Sequence, residues 1–296
     1  MNSRIVIPTY KRPESLAKTL DSILLGSSLP TTVLIIDDDA LPDDFISKYR
    51  RLFSKAKVDF AYHKKDHVVH RKGLSESKNL GYELAVEDIV FYLDDDVVLD
   101  RDYVREIMNA WKNNKNDERL FAVGGRISNN RKQSRIEHAY YWLFGLKGDL
   151  AWDVNKVGFQ CWDESVTEIQ KAHYLHGGVS SYRTELLRQF GFAEFSGGRT
   201  GLEDVEIGLR TKQAGYHMLY VPSAQLAHYH EPSGRENAYE SGAKESRNRK
   251  EIFRTLCEQS LANKLHFAWA NIGWVLKKFL SGNVRYGIGM LNIKRT

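Results

Sequence analysis

The stretch VFYLDDDVVLD, residues 90–100, places three aspartates directly after an apolar run. The run IVFYL (89–93) is typical of a buried strand. Adjacent ionised carboxylates repel one another, and limited solvent access at a strand end should raise at least one of their pKa values. A divalent cation would remove that cost, because it favours ionised carboxylates. For an isolated acidic run, a solvated turn or a helix N-cap at Asp100 is the better interpretation, so the sequence context must decide.

Outward from this stretch, short β-prone runs alternate with amphipathic helical patterns. The predicted strands are 4–8, 32–37, 57–62 and 89–93, and the predicted helices are one that starts at Pro13 and those near 43–54, 75–86 and 101–113. This alternation predicts βαβ units and an α/β fold, with a mostly parallel, Rossmann-like sheet flanked by helices on both faces. Ligands bind such sheets outside the carboxyl ends of the strands, so the Asp37–Asp39 and Asp94–Asp96 runs should line the same crevice. The basic loop 63–73 should lie near its rim.

The second half of the chain is irregular and aromatic from about 126 to 175. A strand, a glycine turn and a helix are predicted within 171–187, followed by a helix that ends at Gly215 and a strand up to Pro222. We therefore expect a main domain at 1–235, with halves 1–125 and 126–235, and a C-terminal helical extension at 236–296.

Composition narrows the classes of partner. Lys and Arg number 43 against 38 Asp and Glu, a net charge of +5, and the isoelectric point is about 9.0. This mild excess permits a phosphate-bearing ligand or an anionic membrane surface, and we expect no nucleic acid partner. Cys161 and Cys257 lie far apart, which argues against a disulfide framework or a zinc site and fits a reducing compartment. The N-terminus lacks a signal-peptide pattern and no apolar run reaches about 18–20 residues, so the expected location is cytoplasmic.

Five motifs occur in an order that resembles glycosyltransferase family 2, whose members have the GT-A fold. They are IVIPTYKRPESLAKTLDSIL, GLSESKNLGYELAVEDI leading into FYLDDD, GGVSSYRTELLRQFGFAEF, GLEDVEIGLRTKQAGY and YVPSAQLAHYH. The resemblance covers about residues 3–230. It implies an inverting, Mn²⁺- or Mg²⁺-dependent enzyme that transfers a sugar from a nucleoside diphosphate sugar, with a UDP-sugar as the first expectation. The implied acceptor is a hydroxyl of a glycan or lipid-linked saccharide, in bacterial surface polysaccharide synthesis.

The resemblance also implies roles for residues after the first two strands. Pro8, Thr9 and Tyr10 would form the nucleotide pocket, with Tyr10 against the base and Arg12 nearby. Asp38 would bind the base or its ribose. Because this chain has DDDAL where the family commonly has an acidic pair followed by Gly-Ser, the choice among Asp37, Asp38 and Asp39 stays open.

Further donor residues follow from the same resemblance. Lys78 stands where the family often has Arg and would reach the base or diphosphate, with a solvated helix lysine as the alternative. Asp94 or Asp95 would contact the ribose. Gly177 and Gly178 fit a turn at which the backbone approaches the donor sugar or the acceptor. Arg235 would close over the diphosphate, with an ordinary surface arginine as the alternative. The segment SGGRTG (196–201) is interpreted as a mobile loop ahead of the base.

Catalytic and metal-binding residues are implied as well. Asp204 matches the usual general base of the family, and Glu203 would position the acceptor or a loop. Acidic residues are also favoured at a helix N-terminus on dipole grounds alone, so only the ordered context supports a catalytic role. Asp96 would hold the metal together with His228 or His230, and we favour His228.

The segment 264–280 has apolar residues at helical spacing beside Lys277 and Lys278. It either packs as core, as amphipathic helices usually do, or lies in an anionic membrane interface. We favour peripheral contact with the inner membrane surface. Two other functions compete with the transferase, a sugar nucleotidyltransferase and a non-catalytic nucleotide-sugar-binding module. A nucleotidyltransferase would be expected to have a Gly-rich phosphate loop after the first strand, where this chain has IPTYKRPES. The intact acidic motifs argue against a non-catalytic binding module.

Overall fold

The computed structural model describes residues 1–195, 201–231 and 237–291. The strands are β1 (Ser3–Thr9), β2 (Thr32–Asp37), β3 (Asp59–Lys64), β4 (Ile89–Leu93), β5 (Val97–Leu99), β6 (Leu120–Ile127), β7 (Asp153–Val154), β8 (Gln160–Cys161), β9 (Gln170–Ala172), β10 (Val179–Arg183) and β11 (His217–His228). The helices are α1 (Pro13–Leu24), α2 (Asp43–Lys55), α3 (Leu74–Glu83), α4 (Tyr103–Asn113), α5 (Arg135–Leu143), α6 (Thr184–Phe190), α7 (Glu203–Gln213), α8 (Ala238–Leu256), α9 (Leu261–Leu280) and α10 (Val284–Leu291).

One mixed sheet runs in the order β3-β2-β1-β4-β10-β6-β11-β5, with β9 beside β11. The strands β3, β2, β1 and β4 are parallel, as is the pair β6 and β11. Strand β10 is antiparallel to both β4 and β6, between which it lies. The predicted α/β class with a mostly parallel central sheet is confirmed.

Helices cover both faces of this sheet because alternate side chains of each buried strand point to opposite sides. In β1, Ile5 and Ile7 pack in a cluster with residues of α1, α2 and α4. Val6, between them, belongs to a second cluster that includes residues of α3, α6, α7 and the three C-terminal helices. The continuous apolar runs of the central strands are therefore explained by burial on both sides.

The predicted elements of the first half match the structure with small shifts in their ends. Strand β3 begins two residues later than expected, and α3 stops at Glu83 instead of reaching Val86. The short strand β5 was not predicted, since three residues carry no usable periodicity. It pairs antiparallel with β11, with Val97 opposite His228. This pairing brings the end of β11 next to the aspartate turn.

The C-terminal helices pack against one another and onto the sheet side that carries α7. Gly242 of α8 and Gly289 of α10 allow these two helices to approach closely. A side chain at either position would collide with the backbone of the other helix. Trp274 of α9 donates a hydrogen bond to Glu245 of α8, which also pairs with Arg249 at 2.8 Å. The structure thus shows a helical extension, and the helical segment predicted at 264–280 begins three residues earlier, at Leu261. Across the described ranges, every helix is too short or too polar to cross a bilayer.

Candidate active site

A cleft of about 610 Å³ opens at the carboxyl end of β4. The predicted residues that line it are Asp94, Gly177, Gly178, Glu203, Asp204, His228 and His230. Its far end is formed by α8, α9 and α10, through Glu245, Trp274, Lys277, Lys278 and Tyr286. The cleft therefore joins the acidic turn, the start of α7 and the C-terminal helices.

Two carboxylates and one imidazole converge at one end of this cleft. Asp94, Asp96 and His228 each offer a ligand atom, and these atoms lie within 4.8 Å of one another. His228 Nε2 is 2.8 Å from Asp96 Oδ1 and 3.6 Å from Asp94 Oδ2. Carboxylate oxygens suit Mg²⁺ and Mn²⁺, and a neutral imidazole is a common metal ligand that can complete a carboxylate site. These three side chains fit a divalent cation. Asp94 is one of them, although the resemblance implied that Asp94 or Asp95 would contact the ribose.

His230 lies next to this group without belonging to it. Its ring centroid is 4.0 Å from that of His228, and its backbone φ is 49°. The left-handed conformation ends the extended segment in which both rings would share one face. The structure therefore separates the two candidates, with His228 among the converging donors and His230 on the adjoining cleft wall.

Electrostatics keep Asp96 ionised. Burial alone would raise its pKa, but the hydrogen bond with His228, the backbone N–H of Glu231 and the nearby Arg12 guanidinium lower the pKa of Asp96 to about 2. Arg12 Nη1 is 3.6 Å from Asp96 Oδ2. A permanently charged Asp96 is the state that a cation site requires.

Asp95 points away from the converging donors. It accepts a hydrogen bond from Thr9 Oγ1 at 2.7 Å and forms an ion pair with Arg12 at 3.0 Å. Burial raises the pKa of Asp95 despite these two partners. Thr9 and Arg12 thus fasten the aspartate turn to the end of β1. Tyr10 is half-buried, and the amines of Lys11 and Lys72 lie 5.3 and 5.8 Å from the centre of its ring.

The second acidic run occupies a separate part of the strand ends, since β1 lies between β2 and β4. Asp37 accepts hydrogen bonds from the backbone of Asp39 and Leu41 and from the Tyr62 hydroxyl, so it organises its own turn. Asp38 forms a 2.6 Å ion pair with the buried Lys65.

Lys78 is buried, which contradicts the alternative of a solvated helix lysine. Its amine forms a 2.7 Å ion pair with Glu203 Oε1 at the start of α7. Burial alone would lower the pKa of Lys78, but Glu203 raises it above the usual value. The pair connects α3, on the donor side, to the helix that carries the candidate base.

Asp204 occupies the first turn of α7 and faces the cleft. The Tyr174 hydroxyl lies 3.3 Å and the Gly177 backbone nitrogen 3.4 Å from its Oδ2. Burial and the neighbouring Glu203 raise the pKa of Asp204 to about 6, although Lys78 and His176 act in the opposite direction. Leu202, just before the helix, has a φ of 91°, a strained conformation for a branched residue. A carboxylate with a raised pKa is suited to accept a proton near neutral pH.

Gly177 and Gly178 allow close packing of charged side chains. A Cβ atom at Gly178 would lie 2.1 Å from Asp94 Oδ2, and one at Gly177 would lie 2.7 Å from the Lys78 amine. The glycine turn therefore lets the backbone approach the acidic turn and the Lys78–Glu203 pair.

Sequence reasoning missed a group of side chains beside the candidate base. His176 Nδ1 lies 3.2 Å from the Tyr174 hydroxyl, and its Nε2 lies 3.8 Å from Glu164. Trp162 stands edge-on to His176, with ring centroids 5.5 Å apart. Tyr174 and His176 lie within the segment 171–187 for which a strand, a turn and a helix were predicted, but Glu164 and Trp162 lie in the irregular segment, which has no motif. Arg235 and residues 196–200 lie outside the described residues.

The fold and the cleft together define a GT-A glycosyltransferase that uses a nucleotide sugar. The chain belongs to glycosyl transferase family 2, which it matches over residues 4–189. It is 25% identical to a glucosyl-dolichyl phosphate glucuronosyltransferase of Haloferax volcanii over 249 residues, which are 77% of this chain and 69% of that protein. The enzyme class and the predicted family are thereby confirmed.

Solved structures with the same fold include two complexes with nucleotide sugars. The mannosyltransferase PcManGT of Pyrobaculum calidifontis, in complex with GDP-Man and Mn²⁺, superposes with a TM-score of 0.55 at 17% identity, covering 96% of this chain and 77% of that one. S. aureus TarS 1-349, in complex with UDP-GlcNAc, gives 0.59 at 14% identity, with 97% and 78% covered. These neighbours confirm the GT-A fold.

Proposed function

We propose that this enzyme is a divalent-metal-dependent, inverting glycosyltransferase. Its donor is a nucleoside diphosphate sugar, with a UDP-sugar as the first candidate, and its acceptor is a hydroxyl of a glycan or lipid-linked saccharide. The observation that carries the proposal is the single cleft that holds the Asp94–Asp96–His228 donor set and Asp204.

The candidate metal donors come from two adjacent parts of the sheet, the turn between β4 and β5 and the end of β11. Asp94, Asp96 and His228 would hold Mn²⁺ or Mg²⁺. A cation bound there supplies Lewis-acid stabilisation of the charge that develops on the departing nucleoside diphosphate. Thr9 and Arg12 hold the acidic turn through Asp95, and Tyr10 would pack against the base.

Asp204 is the proposed general base. It would take the proton of the acceptor hydroxyl as that oxygen attacks the anomeric carbon. One base and direct attack on the face opposite the leaving group give inversion of configuration. Tyr174 and His176 hold the Asp204 carboxylate in place, while Glu203 is held by Lys78 and is therefore assigned to positioning.

The acceptor and the place where the enzyme acts are proposed from the sequence and from a named relative. The Haloferax volcanii relative acts, by its name, on a glucosyl-dolichyl phosphate, which supports a lipid-linked acceptor. Surface polysaccharide synthesis at the inner face of the cytoplasmic membrane fits such an acceptor. The family match favours glycosyl transfer over nucleotidyl transfer or binding alone.

The test is a donor screen in which release of nucleoside diphosphate is measured with Mn²⁺, with Mg²⁺ and with EDTA. We expect one donor to be turned over only with a divalent cation. Asp204→Asn should lower turnover by at least about 10³-fold while the affinity for that donor stays within about threefold. Asp96→Asn should instead weaken metal-dependent donor binding. Metal-independent turnover, or near wild-type rates for Asp204→Asn, would contradict the assignment.

A further inference from the structure

Helix α9 carries an apolar face that is open to solvent. The large apolar side chains on this face recur every three or four residues, so they form one stripe. Their exposed fractions range from 42% to 78%, and they are Leu261, Leu265, Trp269, Ile272, Leu276 and Leu280. The opposite side of the helix, around Ala270 and Trp274, is buried against the protein. Nothing in the described ranges covers the stripe.

Neighbouring helices extend this surface. Trp269 Nε1 donates to the Leu143 carbonyl oxygen, and the Trp269 ring stacks on Phe144, which sets the end of α5 beside α9. On the other side, Phe279 packs against Gly287 of α10. Exposed side chains of both helices join the stripe: Trp142, Leu143, Val284, Ile288 and Leu291. These residues and the stripe are called the C-terminal apolar face. Contiguous apolar surfaces of this kind mark a contact with a partner or a membrane.

The charged residues of α9 and α10 are all basic. They are Lys264, Lys277 and Lys278 in α9 and Arg285 in α10. Lys264 and Arg285 are exposed beside the apolar face. An apolar helix face that carries a tryptophan and is flanked by exposed basic side chains suits the interface of an anionic bilayer.

The same helix also forms the far wall of the catalytic cleft. Trp274, Lys277 and Lys278 line that cleft from the side of α9 opposite the stripe. A bilayer against the C-terminal apolar face would therefore lie on the outer side of the helix that forms the far end of the cleft.

We propose that the C-terminal apolar face docks onto a bilayer that contains anionic lipid. Docking presents the cleft to an amphiphilic acceptor whose head group enters past Lys277 and Lys278. The acceptor part of this inference rests on the proposed function, whereas the docking part does not.

Vesicle sedimentation with the full chain tests the docking. Vesicles of phosphatidylcholine with about 30% phosphatidylglycerol are compared with pure phosphatidylcholine, and we expect at least about tenfold stronger binding to the anionic vesicles. The double variant Leu265→Asn and Ile272→Asn should weaken that binding by about tenfold or more. The matched control is the double variant Leu25→Asn and Val86→Asn. Leu25 and Val86 are 75% and 85% exposed elsewhere on the surface, so this variant should bind vesicles like wild type.

Several outcomes would overturn the docking proposal. One is that the protein binds neither kind of vesicle, and another is that the control variant loses as much vesicle binding as the test variant. A third is that the protein forms a dimer without lipid and that Leu265→Asn with Ile272→Asn makes it monomeric, because the face would then be a contact with a second copy. Asp204→Asn should bind vesicles like wild type, and Leu265→Asn with Ile272→Asn should keep lipid-free donor hydrolysis. Vesicle binding without any donor turnover would therefore refute the proposed function and leave the docking intact.

Discussion

Gly178 lies so close to the Asp94 carboxylate that a larger residue would displace one of the candidate metal donors. A Cβ there would be 2.1 Å from Oδ2, and Asp94 is held from the other side by its own backbone hydrogen bond to the Gly178 carbonyl oxygen at 2.9 Å. Gly178→Ala should lower Mn²⁺ affinity by at least about tenfold, or about 1.4 kcal/mol, in isothermal titration calorimetry. Gly201→Ala is the control, because its Cβ would meet open space. Unchanged Mn²⁺ affinity in Gly178→Ala would remove Asp94 from the site.

The raised pKa of Asp204 gives a second prediction at this scale. A base must be ionised to act, so activity is present above its pKa and is lost as the pH falls through it. At saturating Mn²⁺, kcat/KM should fall about tenfold per pH unit below a midpoint near 6 and level off above it. The residual activity of Asp204→Asn should lack this limb. If kcat/KM of Asp204→Asn still fell below pH 6 in the same way, the titrating group would be one other than Asp204.

Individual residues also show where sequence reasoning stops. The sequence alone does not tell which of the three consecutive aspartates 94–96 face the cleft. The contacts of Asp95 with Thr9 and Arg12 show that this carboxylate is turned away from it. Lys78 and Glu203 are 125 positions apart, so no local pattern could pair them. Asp204 was found because its motif lies in a recognisable order, whereas Glu164 has no motif around it.

At the scale of elements, the Lys78–Glu203 pair fixes α3 to α7. Both side chains are at most 4% exposed, so removing one leaves the other charged and buried. Lys78→Met should lower the free energy of unfolding by about 3–5 kcal/mol, measured by urea denaturation. Adding Glu203→Gln removes the stranded charge and should restore most of that loss. Additive losses in the double variant would mean that the two residues do not interact.

Elements were predicted well where their signals are local. Strands β2 and β4 have the predicted bounds, since each is an apolar run that ends at an aspartate. Strands β5 and β9 are three residues long, and each exists only because β11 offers a paired edge. Strand β5, which pairs with the end of β11 at His228, could thus not be predicted from periodicity, although the resemblance indicated His228 itself.

At the scale of the whole molecule, the two predicted halves share one sheet. Strand β10, from the second half, separates β4 from β6 of the first. Both hydrophobic clusters draw residues from each half, so neither half has a core of its own. Alternation of elements could predict the fold class, but this interleaving depends on pairings between distant segments.

The contact between Asp96 and the end of β11 also has a consequence for synthesis. The Glu231 backbone N–H that hydrogen-bonds Asp96 follows it by 135 positions. At about 5–20 residues per second, a ribosome adds that segment in roughly 7–27 s. During this interval the nascent chain holds its aspartate turn without the histidine that completes the site. The candidate cation site can therefore be completed only after the second half has been synthesised.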